Sequence, residues 1–119
     1  MEARSDVEPS AKRARKRAES VPPDFHATIE LIGRRWAGAI LWVLAERPHF
    51  FADLVQSVPG LSDRLLSRRL RELEAEGLIE RSVHPGTPAR VSYGLTDKGR
   101  SLTPVLRDLR TWARRWNDA

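Results

Sequence analysis

The chain is 119 residues long and carries 21 Lys and Arg against 16 Asp and Glu, a formal charge of +5 at pH 7. That length holds one compact domain at most, which excludes multidomain enzyme architectures. With no Cys in the sequence, disulfides, thiolate zinc sites, iron–sulfur ligation and thiol switches are all excluded, and no run approaches the ~18 to 20 apolar residues of a membrane helix or the apolar core of a signal peptide, so the expectation is a soluble, intracellular protein.

Only Lys12, Lys16 and Lys98 are lysines, so 18 of the 21 basic residues are Arg. The planar guanidinium fork suits bidentate contacts to phosphate and guanine. A GC-rich genome also enriches Arg without functional meaning, so the positions of the arginines must decide.

In chain order, residues 1 to 23 mix Glu, Ser, Pro and Ala with the basic run Lys12-Arg13-Ala14-Arg15-Lys16-Arg17, the composition of a disordered basic arm. Such an arm adds nonspecific phosphate contacts or is simply a solvated tail. Residues 24 to 119 read as the folded domain. Spacings of three and four predict helices near 25–32 and 35–45, with Gly33 marking the break between them. Pro48 stops the second helix, His49-Phe50 forms a candidate short strand, and a third helix runs near 51–57 until Pro59-Gly60 turns the chain.

Ser62 is a predicted N-cap for a fourth helix that runs to Glu76 and ends at Gly77. Two alternating segments, 78–83 and 90–95, flank the turn-rich Pro85-Gly86-Thr87-Pro88 and predict antiparallel strands. Thr96 then caps a last helix to about Trp116, with Leu102, Leu106, Leu109, Trp112 and Trp116 along one side. The expected class is mainly α with a small β-hairpin wing, in the order α/α/β/α/α/β/β/α.

The fourth helix carries the chemistry. At 100° per residue Leu66, Leu70 and Leu73 share a narrow arc, while Arg64, Ser67, Arg68 and Arg71 occupy the opposite one. A B-DNA major groove admits one α-helix, and Arg on guanine O6 and N7 is the commonest specific contact there. The competing reading is a solvated charged face whose arginines pair with Glu72, Glu74 and Glu76 along the helix. The Arg and Ser lie toward the helix N-terminus, the end that enters the groove, which favours DNA. Arg90 on the predicted wing suits a narrow minor groove, or else keeps a strand edge soluble.

These segments together resemble one family. The runs Ala27-Thr28-Ile29-Glu30-Leu31-Ile32-Gly33-Arg34-Arg35-Trp36, Phe51-Ala52-Asp53-Leu54, Pro59-Gly60-Leu61-Ser62, Leu66 to Ile79 and Val91 to Gly99 are similar, in order and spacing, to the HxlR-type winged helix-turn-helix transcriptional regulators. The resemblance covers about 24 to 116. It implies a bacterial or archaeal homodimer that associates through its first and last helices and binds double-stranded DNA through the fourth helix and the wing. Many members carry a sensing Cys before the first helix, where this chain has Pro23. The family's basic pair ahead of the third helix is His49-Phe50 here, and Ala52 replaces a common Ser, which weakens the backbone contacts expected of that helix.

The residues expected to meet DNA are therefore Ser62, Arg64, Ser67, Arg68, Arg71 and Arg90, and those expected at the dimer seam are Ile29, Leu102, Leu106, Leu109, Trp112 and Trp116. His26, His49 and His84 show no metal spacing, and no catalytic constellation stands out, so neither metal, cofactor nor enzyme activity is expected. Trp36, Trp42, Trp112 and Trp116 line either a pocket for a small aromatic effector or a core and dimer interface. The reading is a cytoplasmic, nucleoid-associated, sequence-specific regulator on a pseudo-palindromic operator. A nonspecific DNA-binding or protein-interaction module is the alternative.

Overall fold

A computed structural model describes residues 20–117, so the basic run at 12–17 and nearly all of the arm lie outside the described residues. The chain divides after Leu31 into two compact units. The first holds nearly all of α1 (Pro23–Ile32), which starts with a proline, places Asp24 in its first turn and buries none of its residues. A proline there sacrifices an N–H that has no helical partner anyway, and the carboxylate faces the positive end of the helix dipole. Phe25 and Ile29 of this helix are exposed.

The second unit contains α2 (Ala37–Leu44), β1 (His49–Phe50), α3 (Phe51–Ser57), α4 (Asp63–Ala75), β2 (Ile79–His84), β3 (Arg90–Leu95) and α5 (Asp97–Asn117). The strands form one antiparallel sheet in the order β1-β3-β2. His49 and Phe50 lie opposite Tyr93 and Ser92, and the β2–β3 hairpin pairs Ile79 with Leu95 at one end and His84 with Arg90 at the other. The expected two-stranded wing is thus completed by β1 into a three-stranded sheet.

The core follows from helical and strand periodicity. Ile40, Leu41 and Leu44 of α2, Leu54 of α3, and Leu66, Leu70 and Leu73 of α4 are all buried, together with Leu78, Ile79 and Leu95 beside the sheet and Leu106 of α5. Burial of one such side chain contributes roughly 1.5 to 3 kcal/mol. The side chain of Ser62 caps α4 by accepting from Leu65 N at 3.1 Å. At the other end Lys98 Nζ donates to Glu76 O at 2.7 Å, placing a cation on the negative end of the helix. Thr96 caps α5, accepting from Gly99 N at 3.1 Å. Gly99 itself has no alternative, because a Cβ there would lie 2.1 Å from Leu78 O.

One sequence expectation needs correction. Trp36 is not part of the second helix but precedes it in a left-handed conformation, φ 77°, and its ring lies against the turn after α3. A Cβ on Gly60 would stand 3.5 Å from that ring, and Gly60 also has φ +91°, so glycine meets both the steric and the conformational demand.

Candidate nucleic-acid interface

The geometry begins with a short helix, a turn and a second helix. Within the turn Val58 N donates to Leu54 O at 3.2 Å and Leu61 N to Val58 O at 3.3 Å, and the buried side chains of Val58 and Leu61 pin it to the core. The turn fixes α4 relative to α3. The three buried leucines of α4 then leave its opposite face free, and there Arg64, Arg68 and Arg71 are exposed while Ser67 is half-buried.

Ion pairing separates the two readings of this face. Among the described residues Glu72 pairs with Arg69 at 3.1 Å and with Arg34 at 3.3 Å, and Arg69 Nε donates to Arg35 O at 2.8 Å. The i+4 pair between Arg68 and Glu72 is not formed, and Arg64, Arg68 and Arg71 have no ion pair among the described residues. Glu72 thus neutralises cations on the side of the helix next to Arg34, and the guanidiniums of Arg64, Arg68 and Arg71 keep their donors free of carboxylates among the described residues. Ser62 can cap and contact phosphate together, since its oxygen accepts within the helix while its hydroxyl hydrogen remains a donor.

Arg90 lies at the base of the hairpin loop opposite His84, and its guanidinium sits 3.6 Å over the ring of Phe50. The His84 ring meets Phe50 edge-on at 5.3 Å, and His84 Nε2 is hydrogen-bonded to Ser92 Oγ at 2.8 Å. A Phe stacked under a guanidinium holds it through the ring quadrupole and leaves its in-plane N–H donors available. Phe50, Ser67 and Arg90 line the same groove between α4 and the wing. Sequence reasoning missed Phe50 as a wing residue because its contact depends on β1 joining β3, and a two-residue strand has no periodicity to reveal its partner.

The remaining predicted residues separate. Leu106 is buried within the chain and Leu102 is half-buried, whereas Leu109, Trp112 and Trp116 are 56, 58 and 68% exposed and Ile29 is 45% exposed. Nor do the four tryptophans gather at one pocket. Trp36 packs at Gly60, Trp112 and Trp116 lie on the surface, and Trp42 lines a cavity bordered by α2 and α5.

A turn-linked helix pair backed by a β-hairpin, with exposed arginines on the second helix, defines a winged helix-turn-helix protein. The chain belongs to the HxlR-like helix-turn-helix family, whose model matches residues 31–119. It is 41% identical to the HTH-type transcriptional regulator YvaP of Bacillus subtilis over 96 residues, 81% of this chain and 89% of that protein. YodB, another HTH-type transcriptional regulator of that organism, is 38% identical over 91 residues, 76% of this chain and 81% of its own length. The fold is shared with the reduced form of YodB, with a TM-score of 0.73 and 36% identity over 82% of this chain and 95% of that one. It is also shared with the redox regulator HypR in its reduced form, with a TM-score of 0.76 and 30% identity over 80% of this chain and 94% of the other. The protein is a DNA-binding transcriptional regulator of this type rather than an enzyme. No described helix is long and apolar enough to cross a membrane.

Proposed function

We propose that the protein acts as a homodimer that recognises a pseudo-palindromic operator, with Arg64, Ser67 and Arg68 on base edges, Ser62 and Arg71 on phosphates, and Arg90 reaching the minor groove from the wing. The observation that carries this reading is the set of exposed guanidiniums of Arg64, Arg68 and Arg71 on α4, without an ion pair among the described residues and opposite its buried leucines. The exposed Leu109, Trp112 and Trp116 of α5 and the unburied Phe25 and Ile29 of α1 support association, because apolar patches of this kind mark protein contacts. The basic arm ahead of residue 24 adds nonspecific phosphate contacts. Some relatives are described in reduced and redox-linked forms, and because this sequence contains no Cys, a regulatory input to it does not act through a thiol. It works in the cytoplasm at the nucleoid.

Selection of bound duplexes from a random pool, followed by affinities for the selected and scrambled sequences at physiological salt, tests the reading. It requires half-sites ~34 to 36 Å apart, the spacing that two-fold symmetry imposes on recognition helices, and a preference of ~10³-fold or more. A flat preference with affinity set by salt alone identifies a nonspecific binder instead.

A further inference from the structure

One cavity shares no lining residue with the groove that Ser67 and Arg90 border. It has a volume of about 530 Å³ and is bordered by the end of α2, by β1, by α3 and by α5, within the range of roughly 300 to 1,000 Å³ typical of small-ligand sites. Trp42 and Leu106 give it an apolar wall, and Arg47, Arg107, Glu46 and His49 supply its charged and polar groups. Arg107 makes no ion pair among the described residues, and Arg47 reaches only the Pro48 carbonyl, at 3.4 Å. Two guanidiniums without a carboxylate partner therefore border one cavity against the single acid Glu46.

His49 is the most informative of these groups. It is 4% exposed, and its Nδ1 lies 2.8 Å from Arg47 O. A carbonyl can only accept, so Nδ1 donates in this contact, and in the tautomer with its proton there Nε2 is an acceptor. Nε2 has no hydrogen bond among the described residues. His49 borders the cavity, and Nε2 is its ring nitrogen left for a contact there. A polar ring held this way beside an apolar wall and two guanidiniums without a carboxylate partner among the described residues calls for a ligand that brings an apolar body, an anion and a hydroxyl donor.

We propose that this cavity binds a small hydroxylated aromatic carboxylate, its ring against Trp42 and Leu106, its carboxylate on Arg47 and Arg107, and its hydroxyl donating to His49 Nε2. The site also has a route to the wing. Successive strand residues point to opposite faces. On β1, His49 lines this cavity, while Phe50 lines the groove beside α4 and carries Arg90 on its ring. A ligand that shifts His49 therefore shifts the platform under Arg90 and changes operator affinity. This coupling rests on the operator-binding reading, whereas ligand binding does not.

Calorimetric titration of the full chain with 4-hydroxybenzoate, and with 4-hydroxybenzyl alcohol as the uncharged control, tests the site without DNA. The expected result is saturable binding of the acid below about 1 mM, about tenfold weaker binding of the alcohol, and a similar loss on Arg47→Gln or Arg107→Gln, each removing a charge-assisted contact. Both arginines are exposed, so the variants keep the fold, which circular dichroism checks. Absence of saturation up to about 10 mM, or binding indifferent to both substitutions, overturns the site. Operator affinity measured with and without saturating 4-hydroxybenzoate then tests the coupling. A change that disappears in Arg107→Gln supports it, and an unchanged affinity overturns it. A chain that binds the acid but no operator breaks the operator reading and leaves the ligand site standing.

Discussion

Helices α4 and α5 show the same apolar spacing of three and four residues, yet the fold treats them in opposite ways. Leu66, Leu70 and Leu73 of α4 are at most 1% exposed, whereas Leu109, Trp112 and Trp116 of α5 are all more than half exposed. The first helix buries its apolar face within the chain and displays arginines. The second buries Leu106 near its middle and displays an apolar stripe beyond it. Periodicity reveals that a face is apolar, and only the packing of the other elements reveals whether the chain itself covers it. On this account the exposed side of α4 belongs to DNA and that of α5 to a second copy.

The contrast is broken most forcefully by substitutions on the two apolar faces. Leu70→Ala is expected to cost ~2 to 5 kcal/mol in urea unfolding, the penalty for a cavity in a closed core. Trp112→Ser is expected to leave the helical content intact and to weaken self-association by about 30-fold or more in sedimentation equilibrium, as loss of an interface anchor does. If Trp112→Ser instead unfolded the chain without altering its association, the two helices would not differ in the way described here.

Smaller effects sharpen the DNA-facing side. Ser62→Ala should lower stability by ~1 kcal/mol through loss of the cap and also reduce affinity for all duplexes alike, because its hydroxyl is assigned to phosphate. A stability loss with unchanged DNA affinity would confine Ser62 to capping. Phe50→Leu keeps an apolar side chain but removes the ring beneath Arg90. It is expected to weaken operator binding by ~0.5 to 1 kcal/mol, the worth of one partly exposed cation–π contact, with no further loss when combined with Arg90→Ala. Additive losses would mean that Phe50 does not act through Arg90.

Much of this architecture is legible in the sequence because local signals coincide with it. Ser62, Gly77 and Thr96 mark element ends, and each stands at one in the structure. Residues 62–76 place Leu66, Leu70 and Leu73 opposite Arg64, Arg68 and Arg71, and the fold buries the former and exposes the latter. Long-range features are not legible. Glu72 lies at i+4 from Arg68, but it pairs with Arg34, which is distant in sequence, and with Arg69. The stack of Arg90 on Phe50 depends on the register of a two-residue strand. The left-handed Trp36 looks like a helix residue by spacing alone, and its place is set by the open side of Gly60. The cavity at His49 joins four elements separated along the chain, so no local pattern announces it.

The central claim is that the N-terminal arginines of α4 read bases rather than merely attract a polyanion. It is tested most directly by a double-mutant cycle between Arg68→Ala and each guanine of the selected operator, with affinities measured at fixed salt. The account predicts that Arg68→Ala costs ~1 to 3 kcal/mol on the selected operator and abolishes discrimination at one symmetry-related position in each half-site. Equal losses on every sequence, with discrimination intact at every guanine, would contradict it and reduce Arg68 to a phosphate contact.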